Sequence, residues 1–256
     1  MEGLQLADEP RRRLYRDRAD AGVYLAARLK RYAGQDVLVL GVPRGGVPVA
    51  AEVARRLDAE LDVVVARKLG APISPELAIG AVTANGGRFL NDDLIRDLGV
   101  PTSYLERVTA EQRADARQRE ARFRGDHPAP RVRDRVVLVV DDGLATGATM
   151  RAAVRSVRQQ QPAWLVVAVP VGSQEACAAL RSEANELVCL HAPATFWAVG
   201  FYYDHFAPTE DAEVQRLLQE AYARREAARP QPSPAPTPGS APQAIATSRP
   251  QRERAG

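Results

Sequence analysis

The sequence predicts an α/β fold: a doubly wound parallel sheet with helices on both faces. Three observations carry this. Four short runs, DVLVLG (36–41), LDVVVA (61–66), RVVLVV (135–140) and WLVVAV (164–169), are β-branched and apolar. That composition suits central strands buried on both faces. Helical periodicity fills the stretches between them, and alternation of strand with helix builds a parallel sheet. The 256 residues are enough for one ample α/β domain.

The elements follow in order. Helical patterns cover 11–33, 46–58, 102–124, 149–160, 174–183 and 210–228. The first strand (36–41) runs into GVPRGGV (41–47), a glycine-rich turn that opens a helix. After the second strand, Gly70 to Pro75 reads as loop-like. LAIGAV and GGRFLN (77–91) read as a short strand pair around Asn85-Gly86-Gly87. ELVCL (186–190) is a further strand. The stretches 11–33 and 102–124 carry many mixed charges and read as solvated faces. Residues 229–256 are rich in Pro, Ser and Ala and read as a disordered tail, leaving one domain over 1–228.

Charge narrows the classes. The chain carries 35 basic and 32 acidic side chains, a formal charge of +3. The tail's four arginines against one glutamate account for all of that excess. A neutral body argues against a nucleic-acid partner, which demands a basic face. No apolar run approaches the roughly 20 residues that span a bilayer, so no membrane partner is expected. The N-terminal segment has no signal-peptide pattern. The two cysteines, Cys177 and Cys189, form no CxxC and read as small thiols in a reducing compartment. The expected location is cytoplasmic.

In such sheets ligands sit beyond the carboxyl ends of the strands. After RVVLVV comes DDGLATGAT (141–149), then a helix. The small residues let a ligand approach the backbone, and the helix start offers free N–H groups and a favourable dipole. Ala145, Thr146, Gly147, Ala148 and Thr149 therefore read as a phosphate cradle, distinct from the GxxxxGK[ST] pattern. Asp141 and Asp142 would repel the phosphate itself. They suit ribose hydroxyls, directly or through Mg²⁺. Around Pro43, Arg44, Gly45 and Gly46 the backbone can take a second anion.

DDGLATGAT resembles the phosphoribosyl-pyrophosphate motif of the type I phosphoribosyltransferases: a strand, two acids, then a T-G-x-T loop. The resemblance extends over about residues 10–222 and is strongest to a bacterial group known as predicted phosphoribosyltransferases. It implies that family's parallel sheet with a small hood, supplied by about 191–209 and the N-terminal segment. It implies transfer of a phosphoribosyl group to a nitrogenous acceptor, with Mg²⁺. It places pyrophosphate on Pro43, Arg44, Gly45 and Gly46, often through a strained peptide bond, here Pro43–Arg44 or Arg44–Gly45. Arg67 and Lys68 would reach the same group, and the loop after them would close over the site. The segment APATFWAVGFYYDHF (192–206) resembles the hood of purine-type enzymes. In that register Trp197 stacks on the acceptor base, Val199 reads its edge through the backbone, and Asp204 joins Asp141 and Asp142 near the metal.

Two positions depart from the purine pattern. Enzymes acting on 6-oxopurines carry an aspartate where this chain has Ala145, and a lysine after the fourth strand, where this chain reads VAVPVGS. Guanine and hypoxanthine are therefore disfavoured, and the acceptor stays open, as does the oligomeric state, with a homodimer allowed. A regulatory protein of the same fold that binds phosphoribosyl pyrophosphate without catalysis is the rival reading. Hydrolases lack support, because no Ser/His/Asp or Cys/His set is visible. The three histidines stand apart from one another.

Overall fold

A computed structural model describes residues 13–228. The tail expected over 229–256 lies outside the described residues. Five parallel strands form the main sheet: β1 (Val37–Gly41), β2 (Glu60–Val63), β6 (Val136–Val140), β7 (Trp164–Val171) and β8 (Glu186–His191). Their order is β2-β1-β6-β7-β8. Alternate residues of each strand face opposite layers. Val37, Val39, Leu138, Val140, Val166 and Ala168 pack under helices α1 (Arg18–Arg28), α2 (Gly46–Leu57) and α7 (Asp211–Ala228). Leu38, Leu40, Val137, Val139, Leu165 and Val167 pack under α5 (Ala148–Gln159) and α6 (Gln174–Arg181). Burial on both faces is why these strands carry no polar alternation.

The strand order reverses between β1 and β6. From β1 the chain winds one way to β2; from β6 it winds the other way through β7 to β8. A ligand crevice forms at such a switch point.

Between β2 and β6 the chain departs from the sheet. Three antiparallel strands, β3 (Ala66–Ala71), β4 (Ser74–Thr83) and β5 (Arg88–Leu90), form a second sheet. It packs on α3 (Asp92–Asp97) and α4 (Thr102–Arg124) through Leu69, Ala71, Ile79, Val82 and Val108. This corrects two expectations. The run 61–66 is not one strand, since β2 ends at Val63 and β3 begins at Ala66. Nor is 70–75 a loop: only residues 72–73 separate β3 from β4. Gly70 is packed so closely on Pro75 that a Cβ there would lie 2.5 Å from the Pro75 carbonyl. The Gly/Pro content that suggested a loop marks the bulged pairing between Leu69 and Ala71. The strand pair around Asn85-Gly86-Gly87 is present as β4 and β5. Helix α3 was not anticipated, although Asn91 caps it and Asp92 and Asp93 fill its first turn.

Two other expectations change. Within the described part of 11–33, the helix is α1 alone, capped by Asp17, followed by a short 3₁₀ turn at Lys30–Tyr32. Neither charged helix is merely a solvated face: α1 buries Ala21, Leu25 and Ala26, and α4 buries Val108, Ala116, Glu120 and Phe123. Among the described residues, no helix is long and apolar enough to cross a membrane.

Asp62 of β2 is 2% exposed. Arg124 Nε donates to both its oxygens at 2.8 and 3.1 Å, and Val63 N donates at 2.5 Å. Burial outweighs these partners and pushes the carboxyl up to about 6. A folded-state value above the ordinary 3.8 contributes stability that is fully present below 3.8 and lost as pH rises through about 6. Asp62→Asn removes that dependence. The stability of the variant relative to wild type should therefore climb as pH rises across this window, read by urea unfolding. A difference that stays flat with pH would contradict the assignment.

Candidate functional site

The site begins with the pairing of β1 and β6, which sets Gly41 beside Val140. The segments that follow the two strands leave side by side. Val42 N donates to Val140 O at 2.9 Å, and Gly46 N returns to Val42 O at 3.0 Å. The peptide bond between Pro43 and Arg44 is cis, one of the two bonds singled out from the sequence. At Gly46, a Cβ would lie 2.7 Å from Val140 O and 2.9 Å from Asp141 Oδ1; at Gly45, it would overlap the Asp142 carboxylate. The two glycines are thus the price of bringing the turn onto the acids. The structure joins these two motifs in one place.

The acids themselves are crowded. Asp141 Oδ1 accepts the amide of Asp142 at 2.8 Å. Burial, then the neighbouring Asp142, push the Asp141 carboxyl well above the usual range. Burial also raises Asp142, against the pull of Arg18. Arg18 Nε donates to Asp142 Oδ2 at 2.8 Å, and both side chains are largely covered. The same guanidinium lies 3.9 Å from the Phe206 ring and donates to Ala207 O at 2.7 Å. Tyr203 adds a hydroxyl donor to the Asp142 carbonyl at 2.7 Å. Sequence reasoning missed Arg18 and Tyr203. Arg18 sits within a run of mixed charges, and Tyr203 adjoins the aspartate that draws attention.

The loop after the acids ends at Gly147, in the left-handed region at φ 74°, which opens α5. Gly147 and Ala148 are buried, Ala145 and Thr146 exposed, and Thr149 half-buried. The end of β7 holds this loop in place. Leu144 N donates to Val171 O at 2.9 Å, Ser173 N to Leu144 O at 2.9 Å, and Ser173 Oγ to Ala145 O at 2.8 Å. Ser173 also caps α6. Its role was not legible, because it depends on a strand that follows the loop in sequence.

The aromatic segment forms a cap with Leu14 and Tyr15, which precede α1. Tyr15 pairs with Tyr203, and the Leu14 and Tyr15 amides both donate to Tyr202 O at 3.0 Å. Tyr15, Ala21, Val171, Tyr202 and Tyr203 form its core, with Phe196, Val199 and Phe206 against it. Val199, in a 3₁₀ turn, covers Gly143 and so touches the acid loop. Trp197 is 74% exposed. A cavity of about 400 Å³ opens between Arg13, Ala198, Phe201, Tyr203 and Phe206, and Trp197 is not part of its lining.

The remaining expected residues have other partners. Arg44 is exposed and reaches Asp211 at 3.6 Å and Glu210 at 3.8 Å, at the start of α7. Arg67 lies on β3 and pairs with Asp115 of α4 at 2.6 Å; Lys68 is exposed on the same strand. Asp204 pairs with Arg13 at 3.2 Å. Among the described residues, no three His, Cys, Asp or Glu side chains form a metal cage. The donor set still fits Mg²⁺, which keeps several waters and binds through one or two carboxylates plus substrate oxygens. Asp141 and Asp142 are the residues that would hold it.

Comparison with known proteins fits this geometry. A family model described as the phosphoribosyl transferase domain matches residues 15–85 and 83–205. A protein of Mycobacterium tuberculosis strain H37Rv, whose name carries the words phosphoribosyl transferase, is 45% identical over 210 residues. The match covers 82% of this chain and 47% of that protein, and its counterpart in strain CDC 1551 matches equally. The chain thus spans about half the length of the curated relatives it matches. The crystal structure of the protein TT1426 from Thermus thermophilus is 48% identical, with a TM-score of 0.69, over 80% of this chain and 98% of that one.

Truncating Arg18 strands a largely covered carboxylate. Arg18→Met should destabilise the protein by about 3 kcal/mol, and by distinctly less in an Asp142→Asn background. A double-mutant cycle in urea tests this; equal costs in both backgrounds would show that Arg18 acts elsewhere.

Proposed function

The chain belongs to the phosphoribosyltransferase family, and on that premise we propose that it transfers the 5-phosphoribosyl group from phosphoribosyl pyrophosphate to a nitrogenous acceptor, releasing pyrophosphate. The observation that supports this most is the contact of Gly45 and Gly46 with Asp142 and Asp141. A diphosphate-accepting turn and a pair of sugar-binding acids stand together at the switch point of the sheet.

Each group has a task in this reading. The 5′-phosphate lies on the backbone of Ala145 to Thr149, where the start of α5 offers free N–H groups. The pyrophosphate lies along Pro43 to Gly46, and Arg67 and Lys68 of the second sheet supply positive charge. Asp141 and Asp142 hold the ribose hydroxyls beneath the carbon where positive charge develops as the bond to pyrophosphate loosens. Bound Mg²⁺ would neutralise part of the pyrophosphate charge. Trp197 offers a face for the acceptor ring, and the backbone at Val199 reads its edge. Positioning and charge do the work, with no side-chain nucleophile. Asp204 is the least supported of the expected metal neighbours, since Arg13 already partners it.

One observation favours a second reading. Arg18 already occupies an oxygen of Asp142, so the acid pair is partly neutralised before a ligand arrives. A protein that binds phosphoribosyl pyrophosphate or a nucleotide and regulates, without transfer, would tolerate that.

Pyrophosphate release across a panel of bases separates the two. Transfer predicts release with at least one acceptor, lost in Asp141→Asn/Asp142→Asn together with Mg²⁺-dependent binding. Binding without release for any base would favour the regulator. Trp197→Ala should raise the acceptor KM by the loss of about 1–3 kcal/mol of stacking and leave the affinity for phosphoribosyl pyrophosphate alone. An unchanged KM would remove Trp197 from the acceptor site.

A further inference from the structure

The chain has two cysteines, and the fold brings them together. Cys177 is buried on α6, Cys189 half-buried on β8, and both are free thiols. A Cβ on Gly172 would lie 2.9 Å from Cys177 Sγ and 3.5 Å from Cys189 Sγ. The two sulfurs therefore share the space that the missing side chain leaves. Cys189 Sγ also donates to the His191 carbonyl at 3.2 Å. The neighbouring Cys189 draws the Cys177 thiol down to about 7, and Cys177 in turn pushes Cys189 up. Reaction with oxidants follows thiolate character and access together: Cys177 has the first, and the half-buried Cys189 is the less covered member of the pair.

The pair lies directly behind the loop that follows the acids. Gly172 bridges to Leu144, and the next residue, Ser173, holds Leu144 and Ala145 by two hydrogen bonds. Cys177 N donates to Ser173 O at 3.0 Å. A bond that draws α6 towards β8 acts on the turn from which this loop hangs.

We propose that Cys177 and Cys189 are an oxidisable dithiol, closed to an intramolecular disulfide by hydrogen peroxide, and that closure weakens binding at the adjoining loop. The Cys177 thiolate attacks one peroxide oxygen, the O–O bond breaks, and the departing hydroxide takes a proton to leave as water. Cys177 is then a sulfenic acid. The Cys189 sulfur gives up its proton and attacks the Cys177 sulfur; the S–O bond breaks, a second water leaves, and the S–S bond forms. The two sulfurs lose two electrons and the peroxide gains them. The dithiol stands on the meeting of the two sulfurs and the lowered Cys177 thiol, independently of any ligand. Its effect on binding rests on the phosphoribosyltransferase reading.

The test treats the full chain with hydrogen peroxide, blocks remaining thiols, and maps a digest without reductant. A single linked peptide pair, Cys177 with Cys189, in monomeric protein and released by dithiothreitol, is the expected result. Thiols that stay free, or Cys177 passing on to sulfinic acid beside a free Cys189, would overturn it. Cys189→Ser, checked for a cooperative melt, should stop at a sulfenic acid that dimedone traps. Titration with phosphoribosyl pyrophosphate then compares the two states. A several-fold loss of affinity on oxidation, restored by dithiothreitol, is expected. Equal affinity with the disulfide formed would overturn the coupling. No binding by the reduced protein would count against the functional reading and leave the dithiol standing.

Discussion

The parallel pairing of β1 with β6 is the constraint on which the rest of the molecule depends. These strands are adjacent in space and far apart in sequence. Their side chains are apolar on both faces, so two helical layers must cover them. Two windings of opposite sense supply those layers, and a gap opens where they part. The segments leaving the strands have to share that gap. Glycine at 45 and 46 is the consequence, since any side chain there would strike the acids. The same crowding raises the acids' own proton affinity, and Arg18 offsets part of the cost.

That electrostatic arrangement extends well beyond the two carboxylates. Arg18 comes from the first helix and ties itself to Phe206 and Ala207 in the aromatic cap. Tyr203 reaches the Asp142 carbonyl from the same cap, while Tyr15 pins the cap to the end of β7 through the Pro170 carbonyl. The cap, the stretch before α1 and the acid loop form one connected structure. A substrate that displaced Arg18 from Asp142 would act on all three. The Arg18 guanidinium and the Tyr203 hydroxyl are the two side-chain links between the cap and Asp142.

Much of this was legible in the sequence, and the reason differs by element. The central strands are readable because double-sided burial leaves an unbroken apolar run. DDGLATGAT is readable because no ordinary strand end needs two acids before a run of small residues. The second sheet is hard to read because glycine and proline at 70–75 mark a tight bulge here, where they more often mark a loop. Charged helices α1 and α4 mislead because some of their charges pair with other elements: Arg18 with Asp142 and Arg124 with Asp62 under cover, Asp115 with Arg67 nearer the surface. Ion pairs between residues so far apart in sequence leave no local pattern. Ser173 and the meeting of Cys177 with Cys189 are hidden for the same reason, since both depend on the register of β7 and β8.

The most direct measurement is a crystal structure grown with phosphoribosyl pyrophosphate and Mg²⁺. The 5′-phosphate is expected on the backbone of Ala145 to Thr149, the pyrophosphate along Pro43 to Gly46, and the ribose hydroxyls on Asp141 and Asp142. A ligand bound in any other crevice, with the Arg18–Asp142 pair and both turns untouched, would contradict this placement.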